Sequence, residues 1–222
     1  RSFAPSVFNG QYQQRPTPED GDTIQLSWFN YYKEEPVQFE QIIFSLDTAY
    51  TSKQTNDPSV CIVFGKYKNS WYILQIWKKH VQYPELVLIL SAMADKWKPH
   101  GILIENKASG QSLVPDMIKE GYPAIPIQPE ADKVTRMKTQ SPYLMAGLVV
   151  LPEQSAWLAE FLDECVHFPL GKHDDQVDSL SQFLKWQRHG NTDIVPSEEE
   201  WAAAEAEIEA ELSDYYDDYD DY

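Results

Sequence analysis

Three acidic features stand where acids are costly unless something binds them. Asp47 closes the apolar run Ile43-Phe44-Ser45-Leu46, and Glu105 closes Gly101-Ile102-Leu103-Ile104. A carboxylate ending a buried strand must be solvated, hydrogen-bonded or bound to a cation. The third feature, His173-Asp174-Asp175-Gln176-Val177-Asp178, opens a helical pattern. At about 100° per residue its three aspartates fall within an arc of about 100°. Val177, Leu180, Phe183 and Leu184 fill much of the remaining circumference and face a core. Like charges so placed repel one another, and a helix N-terminus offsets only part of that. Taken singly, each feature has a bland reading: Asp47 and Glu105 as strand-end residues, Asp174 as an N-cap, Asp175 and Asp178 as surface acids matched to the helix dipole. Taken together, from distant segments, they can converge on one rim of a sheet. Clustered carboxylates with few His or Cys suit hard cations such as Mg2+ or Mn2+ and not zinc. Two such ions about 4 Å apart clamp the attacking and leaving oxygens of a phosphodiester displacement. The pattern does not choose among Asp174, Asp175 and Asp178.

The elements that must position these acids are legible from periodicity. Strands are expected at 41–47, 59–67 and 70–77, the last two joined by a hairpin turn at Lys66–Ser70 containing Asn69. A helix is expected over 83–97, where Leu86, Leu90, Met93, Ala94 and Trp97 share a side. Then follow a strand at 101–105, a helix at 109–120 stopped by Gly121, and a strand at 123–127. A helix at 132–145, a strand at 148–151 ended by Pro152, and helices at 153–165 and 174–187 complete the series. Three hairpin-linked strands followed by alternating β and α elements give an α/β fold, a mixed sheet with helices on both faces. That is the pattern of an RNase H-like domain.

The 222 residues suit one domain with tails. Residues 1–40, with Pro5, Pro16, Pro18 and Pro36 among scattered aromatics, read as a linker or arm packing on the body, with some strand at 23–29. Residues 41–190 form the body, and 191–222 an acidic tail without structure at its Asp/Tyr end. The net charge of −17 is concentrated in that tail: thirteen of the 35 acids lie there with no Lys or Arg, leaving 22 acids against 18 bases elsewhere. Bulk charge therefore does not advertise nucleic-acid binding, and any DNA contact must come from local basic groups helped by bound cations. Cys61 and Cys165, far apart and without ligand spacing, read as small buried residues of a reduced protein. No apolar run is long enough to span a membrane, and Arg1 in place of an initiator Met reads as the start of a fragment.

Over residues 41–190 the sequence resembles the nuclease domain of tailed-phage terminase large subunits. The resemblance rests on Ser45-Leu46-Asp47-Thr48-Ala49, Asn56-Asp57-Pro58-Ser59, Ile104-Glu105-Asn106-Lys107-Ala108-Ser109-Gly110, Lys133-Val134-Thr135-Arg136, Gly147-Leu148-Val149-Val150-Leu151-Pro152 and His173-Asp174-Asp175-Gln176-Val177-Asp178-Ser179. The leader Tyr12-Gln13-Gln14-Arg15-Pro16 resembles the segment that joins the packaging ATPase to the nuclease. The resemblance implies an RNase H-like fold and a two-metal endonuclease that cuts concatemeric double-stranded DNA without sequence preference. It implies Asp47, Glu105 and Asp175 as the metal-binding acids, with Asp174 and Asp178 able to substitute or assist. Asp57 matches a further acid that assists, or else is a turn residue before Pro58. Family position suggests phosphate contacts for Lys133 and Arg136, and Lys107 is a further candidate beside Glu105; Lys138 reads as solvated surface charge. His173 is either a general acid/base or a structural neighbour of the acids. The resemblance also implies the ATPase domain of the same full-length chain, the small subunit and the portal protein as partners, in the host bacterial cytoplasm. No GxxxxGK[ST] phosphate loop occurs, so the ATPase site is not in this chain.

Two other readings stay open on the sequence: another RNase H-like nuclease of the junction resolvase or transposase type, and a non-catalytic DNA- or portal-docking module. The acidic tail reads either as a solubilising extension or as a self-inhibitory occupant of a basic DNA groove.

Overall fold

The computed structural model describes residues 23–48, 58–105, 110–128 and 132–188. The N-terminal leader, the acidic tail, Asp57 and Lys107 lie outside the described residues. The chain divides into two units, and the first ends at Gln187.

Strands β2 (Gln41–Asp47), β3 (Ser59–Tyr67) and β4 (Ser70–Lys79) form an antiparallel meander at the centre of a seven-stranded sheet. Their Ile, Val and Phe content suits a pleated surface buried on both sides. Tyr67 pairs with Ser70 across a two-residue turn, where Lys68 has φ 56° and its N–H donates to Glu40 Oε1 at 2.8 Å. Strands β5 (Gly101–Glu105) and β6 (Ala124–Ile127) add in parallel beyond β2, and β7 (Val149–Pro152) adds in parallel beyond β4. With β1 (Asn30–Tyr32), the order is β1-β7-β4-β3-β2-β5-β6, and only β3 runs against the others.

Helices cover both faces. On one face α1 (Tyr83–Trp97) and α2 (Gly110–Lys119) pack Leu86, Leu90 and Met117 against Phe44, Leu46 and Ile104. On the other, α3 (Lys133–Met145), α4 (Leu158–His167) and α5 (Asp175–Arg188) pack Met137, Phe161, Leu180 and Phe183 against Ile43, Phe64 and Leu103. Helix α2 stops where expected: Gly121 takes φ +84°, Tyr122 N–H donates to Met117 O and Gly121 N–H to Ile118 O. This is the left-handed C-terminal cap that glycine adopts without steric cost. Among the described residues no helix is long and apolar enough to cross a membrane. Cys61 and Cys165 are buried and unbridged.

The structure differs from the sequence expectation at the N-terminal side. Residues 23–32 belong to the body: Ile24 and Phe29 are buried in the core, and a 3-10 turn at Leu26–Trp28 leads into β1. The strand lies at 30–32, not 23–29, and pairs in parallel with β7. Without it β7 would be an unpaired edge, a template for unwanted association. A strand of three residues is too short to show alternation, which is why the segment reads as an arm. Helix α4 likewise starts at Leu158, because residues 153–157 turn after Pro152 before the helix begins.

Candidate active site

Asp47 is the last residue of β2 and Glu105 the last of β5. These strands are parallel neighbours with Leu46 beside Ile104, so the two acids stand one step further along the same register. Adjacent strands lie about 4.8 Å apart. Strand alternation puts Asp47 on the face of Ser45, and Glu105 on the face of Leu103, the side covered by α5. Asp47 is half-buried and Glu105 only 8% exposed. Two carboxylates at neighbouring strand ends repel, and partial burial sharpens the repulsion; a cation shared between them would relieve it. The C-terminal edge of parallel strands is also where open α/β sheets bind their ligands.

Helix α5 is fastened to these strands by a buried polar seam. Ser179 Oγ donates to Ser45 O at 2.7 Å, and Ser45 Oγ donates to Ser179 O at 2.8 Å. Gln182 Nε2 donates to Ser45 Oγ at 3.0 Å and, at longer range, to the carbonyls of Leu46 and Leu103. Asp175, Ser179 and Gln182 follow i, i+4, i+7 spacing and share one helix face. Two further contacts fix the direction of α5. Phe183 stacks on Phe64, at 3.7 Å between ring centroids, and Phe64 pairs with Ile43 near the start of β2. Gln176, at the opposite end, binds Glu164, which holds Lys78; Lys78 pairs with Val60, and Val60 with Asp47. The helix therefore runs against β2, and its N-terminus is directed to the edge where Asp47 and Glu105 end.

The acids of that first turn have distinct surroundings. Asp174 forms an ion pair with Lys133. Asp178 accepts from Arg136 Nη2 at 2.6 Å, while Arg136 Nε donates to Ser181 Oγ at 2.8 Å. Burial pushes the Asp178 carboxyl above its ordinary value, against the opposing pull of Arg136. Burial pulls the Lys133 ammonium down, but its hydrogen bond to Asp174 and the charges of Asp174, Asp178 and Asp175 outweigh this and leave it raised. Asp175 Oδ2 lies 4.0 Å from His173 Nδ1. Both cations come from the start of α3, whose first turn is capped by Asp132 through the N–H groups of Val134 and Thr135. The Lys133 side chain stays 44% exposed, whereas that of Arg136 is 9% exposed. Among the described residues no three His, Cys, Asp or Glu side chains are drawn together closely enough to hold an ion as they stand. The donor set nonetheless fits a hard divalent cation by its chemistry: oxygen donors only, on converging elements.

Sequence reasoning missed Ser45, Ser179, Gln182, Lys78 and Glu164. The available signal was polar residues on apolar stripes: Ser45 inside an apolar strand, and Glu164 on the arc of Phe161 and Phe168.

Residues 44–185 match the family model described as the terminase RNaseH-like domain. The chain belongs to that family. Among solved structures, this terminase domain is similar to the full large terminase from a thermophilic bacteriophage, with TM-score 0.61 and 15% identity over 78% of this chain and 45% of that one. It is also similar to the large terminase nuclease from thermophilic phage G20c, with TM-score 0.53 and 16% identity over 71% of this chain and 93% of that one. The G20c nuclease with bound magnesium gives TM-score 0.54 at 15% identity, over 72% of this chain and 94% of that one. At such identities the likeness establishes the RNase H-like fold. The terminase domain spans less than half the length of the first of these relatives. Among proteins of curated function, none matches it by sequence.

Proposed function

We propose that this domain is the divalent-metal-dependent endonuclease of a viral terminase large subunit, cutting concatemeric double-stranded DNA when genome packaging starts and ends. The observation that carries the reading is the placement of Asp47 and Glu105 on neighbouring strand ends under the N-terminus of α5. Family membership and the likeness to terminase nucleases, solved with magnesium, zinc and cobalt, support it.

Asp47, Glu105 and Asp175 would hold two Mg2+ or Mn2+ ions. Such ions supply Lewis-acid charge to the attacking and leaving oxygens of the phosphodiester. Asp175 is favoured over Asp174 and Asp178 because it shares the sheet-facing stripe with Ser179, while the other two carboxylates are turned to Lys133 and Arg136. Asp174 and Asp178 then assist by holding those cations. Lys133, well exposed, is placed to contact a DNA phosphate without reading sequence. Arg136, nearly buried between Asp178 and Ser181, acts as a strut between α3 and α5. Lys107, two residues beyond Glu105, is a further phosphate contact, and Asp57 a further acid near the site. His173 orients Asp175. The ATPase domain of the full-length chain, the small subunit and the portal protein complete the machine, in the cytoplasm of the bacterial host.

The test is nicking and linearisation of supercoiled plasmid with Mn2+, Mg2+ or EDTA, comparing the chain with Asp47→Ala. Metal-dependent cutting that Asp47→Ala abolishes supports the reading. Cutting that persists in Asp47→Ala, or that strongly prefers four-way junctions over linear duplex, overturns it.

A further inference from the structure

A helix begins with backbone N–H groups that have no partner within the helix. Ordinarily the residue just before it accepts from the second and third of these through a Ser, Thr, Asp or Asn side chain. Helix α5 has such a residue in Asp174, whose carbonyl accepts the helical bond from Asp178 N–H at 2.8 Å. Yet the Asp174 carboxylate is turned to Lys133. The cap comes from another helix. Glu164 of α4 accepts from Gln176 N–H at 2.6 Å and Val177 N–H at 3.3 Å with one oxygen. Its other oxygen accepts from Gln176 Nε2 at 2.7 Å and from Lys78 Nζ at 3.0 Å. An ionised carboxylate offers about four acceptor sites, and here four donors converge on one whose side chain is 4% exposed.

This arrangement does two things that a local cap cannot. It ties the first turn of α5 to β4 through Lys78, at the level of the sheet where Val60 pairs with Asp47. It also leaves the Asp174 carboxylate to hold Lys133 at the mouth of the site. We infer that Glu164 is the positioning residue of the proposed nuclease site: capping α5 from outside, it sets where Asp175 stands relative to Asp47 and Glu105. The inference rests on the nuclease reading for its consequence, and on the hydrogen bonds alone for the cap. The charge matters as well as the shape. An amide at 164 keeps one acceptor oxygen but turns an NH2 group toward donors, either the α5 N–H groups or Lys78 and Gln176 Nε2. It also removes the negative charge that the helix N-terminus favours.

Three variants decide it: Glu164→Gln, Asp174→Ala, and Leu90→Ala as a destabilised control in the opposite core. Amide hydrogen exchange over residues 175–180 reads the cap, and Mn2+ titration by calorimetry reads the site. Glu164→Gln is expected to speed exchange of the Gln176 and Val177 amides about tenfold. It should also weaken Mn2+ binding about tenfold, the scale on which groups that orient metal ligands act. Asp174→Ala should leave those two amides protected, and Leu90→Ala should leave Mn2+ affinity unchanged. Faster exchange in Asp174→Ala would mean a local cap and overturn the inference; this holds even if Glu164→Gln does not fold. Unchanged Mn2+ affinity in a folded Glu164→Gln variant reduces Glu164 to a structural role and also overturns it. If the intact chain binds no Mn2+, the metal-site reading fails, and with it the positioning role, while exchange still reports who caps α5.

Discussion

The two faces of the sheet are built on different principles. Between the sheet and α1 and α2 the interior is apolar: Phe44, Leu46, Cys61 and Val63 meet Leu86, Leu90, Leu113 and Met117. Between the sheet and α5 the same strands carry Ser45, and the helix answers with Ser179 and Gln182, all buried. Apolar contact is non-directional and tolerates small slips. Reciprocal hydrogen bonds do not, because a slipped pair leaves buried donors and acceptors unmet at a cost of about 1–3 kcal/mol each. The directional contacts occur on the face that must hold one acid-bearing helix against two acid-bearing strands. The apolar face supplies stability, and the polar face supplies register.

Four experiments break or sharpen that contrast. The largest effect is expected at the acids themselves: Asp47→Ala or Glu105→Ala should lower metal-dependent cleavage about a thousandfold or more, with circular dichroism unchanged. Residual cleavage within tenfold of wild type would remove either residue from the site. Next, Leu90→Ala should lower unfolding free energy by about 2–5 kcal/mol in urea, yet leave cleavage at low temperature as in wild type. A parallel loss of cleavage would mean that the two faces are not separable. Ser179→Ala should cost less stability, about 1–3 kcal/mol, yet reduce cleavage more than Leu90→Ala does. Adding Ser45→Ala to it should be clearly less than additive, since each hydroxyl serves the other's carbonyl; strict additivity contradicts the seam.

The smallest effect is a pH dependence at Lys78. Burial lowers its pKa, but hydrogen bonds and charge from Glu160 and Glu164 outweigh this and raise it above 10.5. A raised lysine stabilises the folded state fully below the unfolded value and loses that contribution as pH climbs through the folded one. Lys78→Met should therefore be less stable than wild type at neutral pH, with the two unfolding curves converging at strongly alkaline pH. A gap that stays constant with pH would assign Lys78 a packing role only.

What was legible in the sequence is what local pattern encodes. Asp47 and Glu105 announce themselves because an acid interrupts an apolar run, and α5 because its stripe keeps a 3.6-residue period. Helix α1 was legible to its ends, Tyr83 and Trp97. The rest depends on partners far along the chain. Ser45 meets Ser179 across 134 residues, and no local signal distinguishes such a serine from a tolerated one. The pairing of Lys133 with Asp174 and of Arg136 with Asp178 requires α3 to lie beside α5. Without that placement, both cations read as free to meet DNA. Glu164 reads locally as a surface acid of an amphipathic helix, and only the arrival of the α5 N-terminus gives it a partner.

The short strand β1 has a consequence for how the molecule is made. Asn30 pairs with Val150, so the first strand to leave the ribosome waits for a partner about 120 residues behind it. At ordinary synthesis rates that wait is on the order of ten seconds. During it Phe29, Tyr31 and Tyr32 have no sheet to join, and closing so long a loop carries an entropy cost that only the finished chain repays. The edge synthesised first is thus the edge assembled last, and the nascent chain meets other molecules through its aromatic N-terminal segment before it can fold over it.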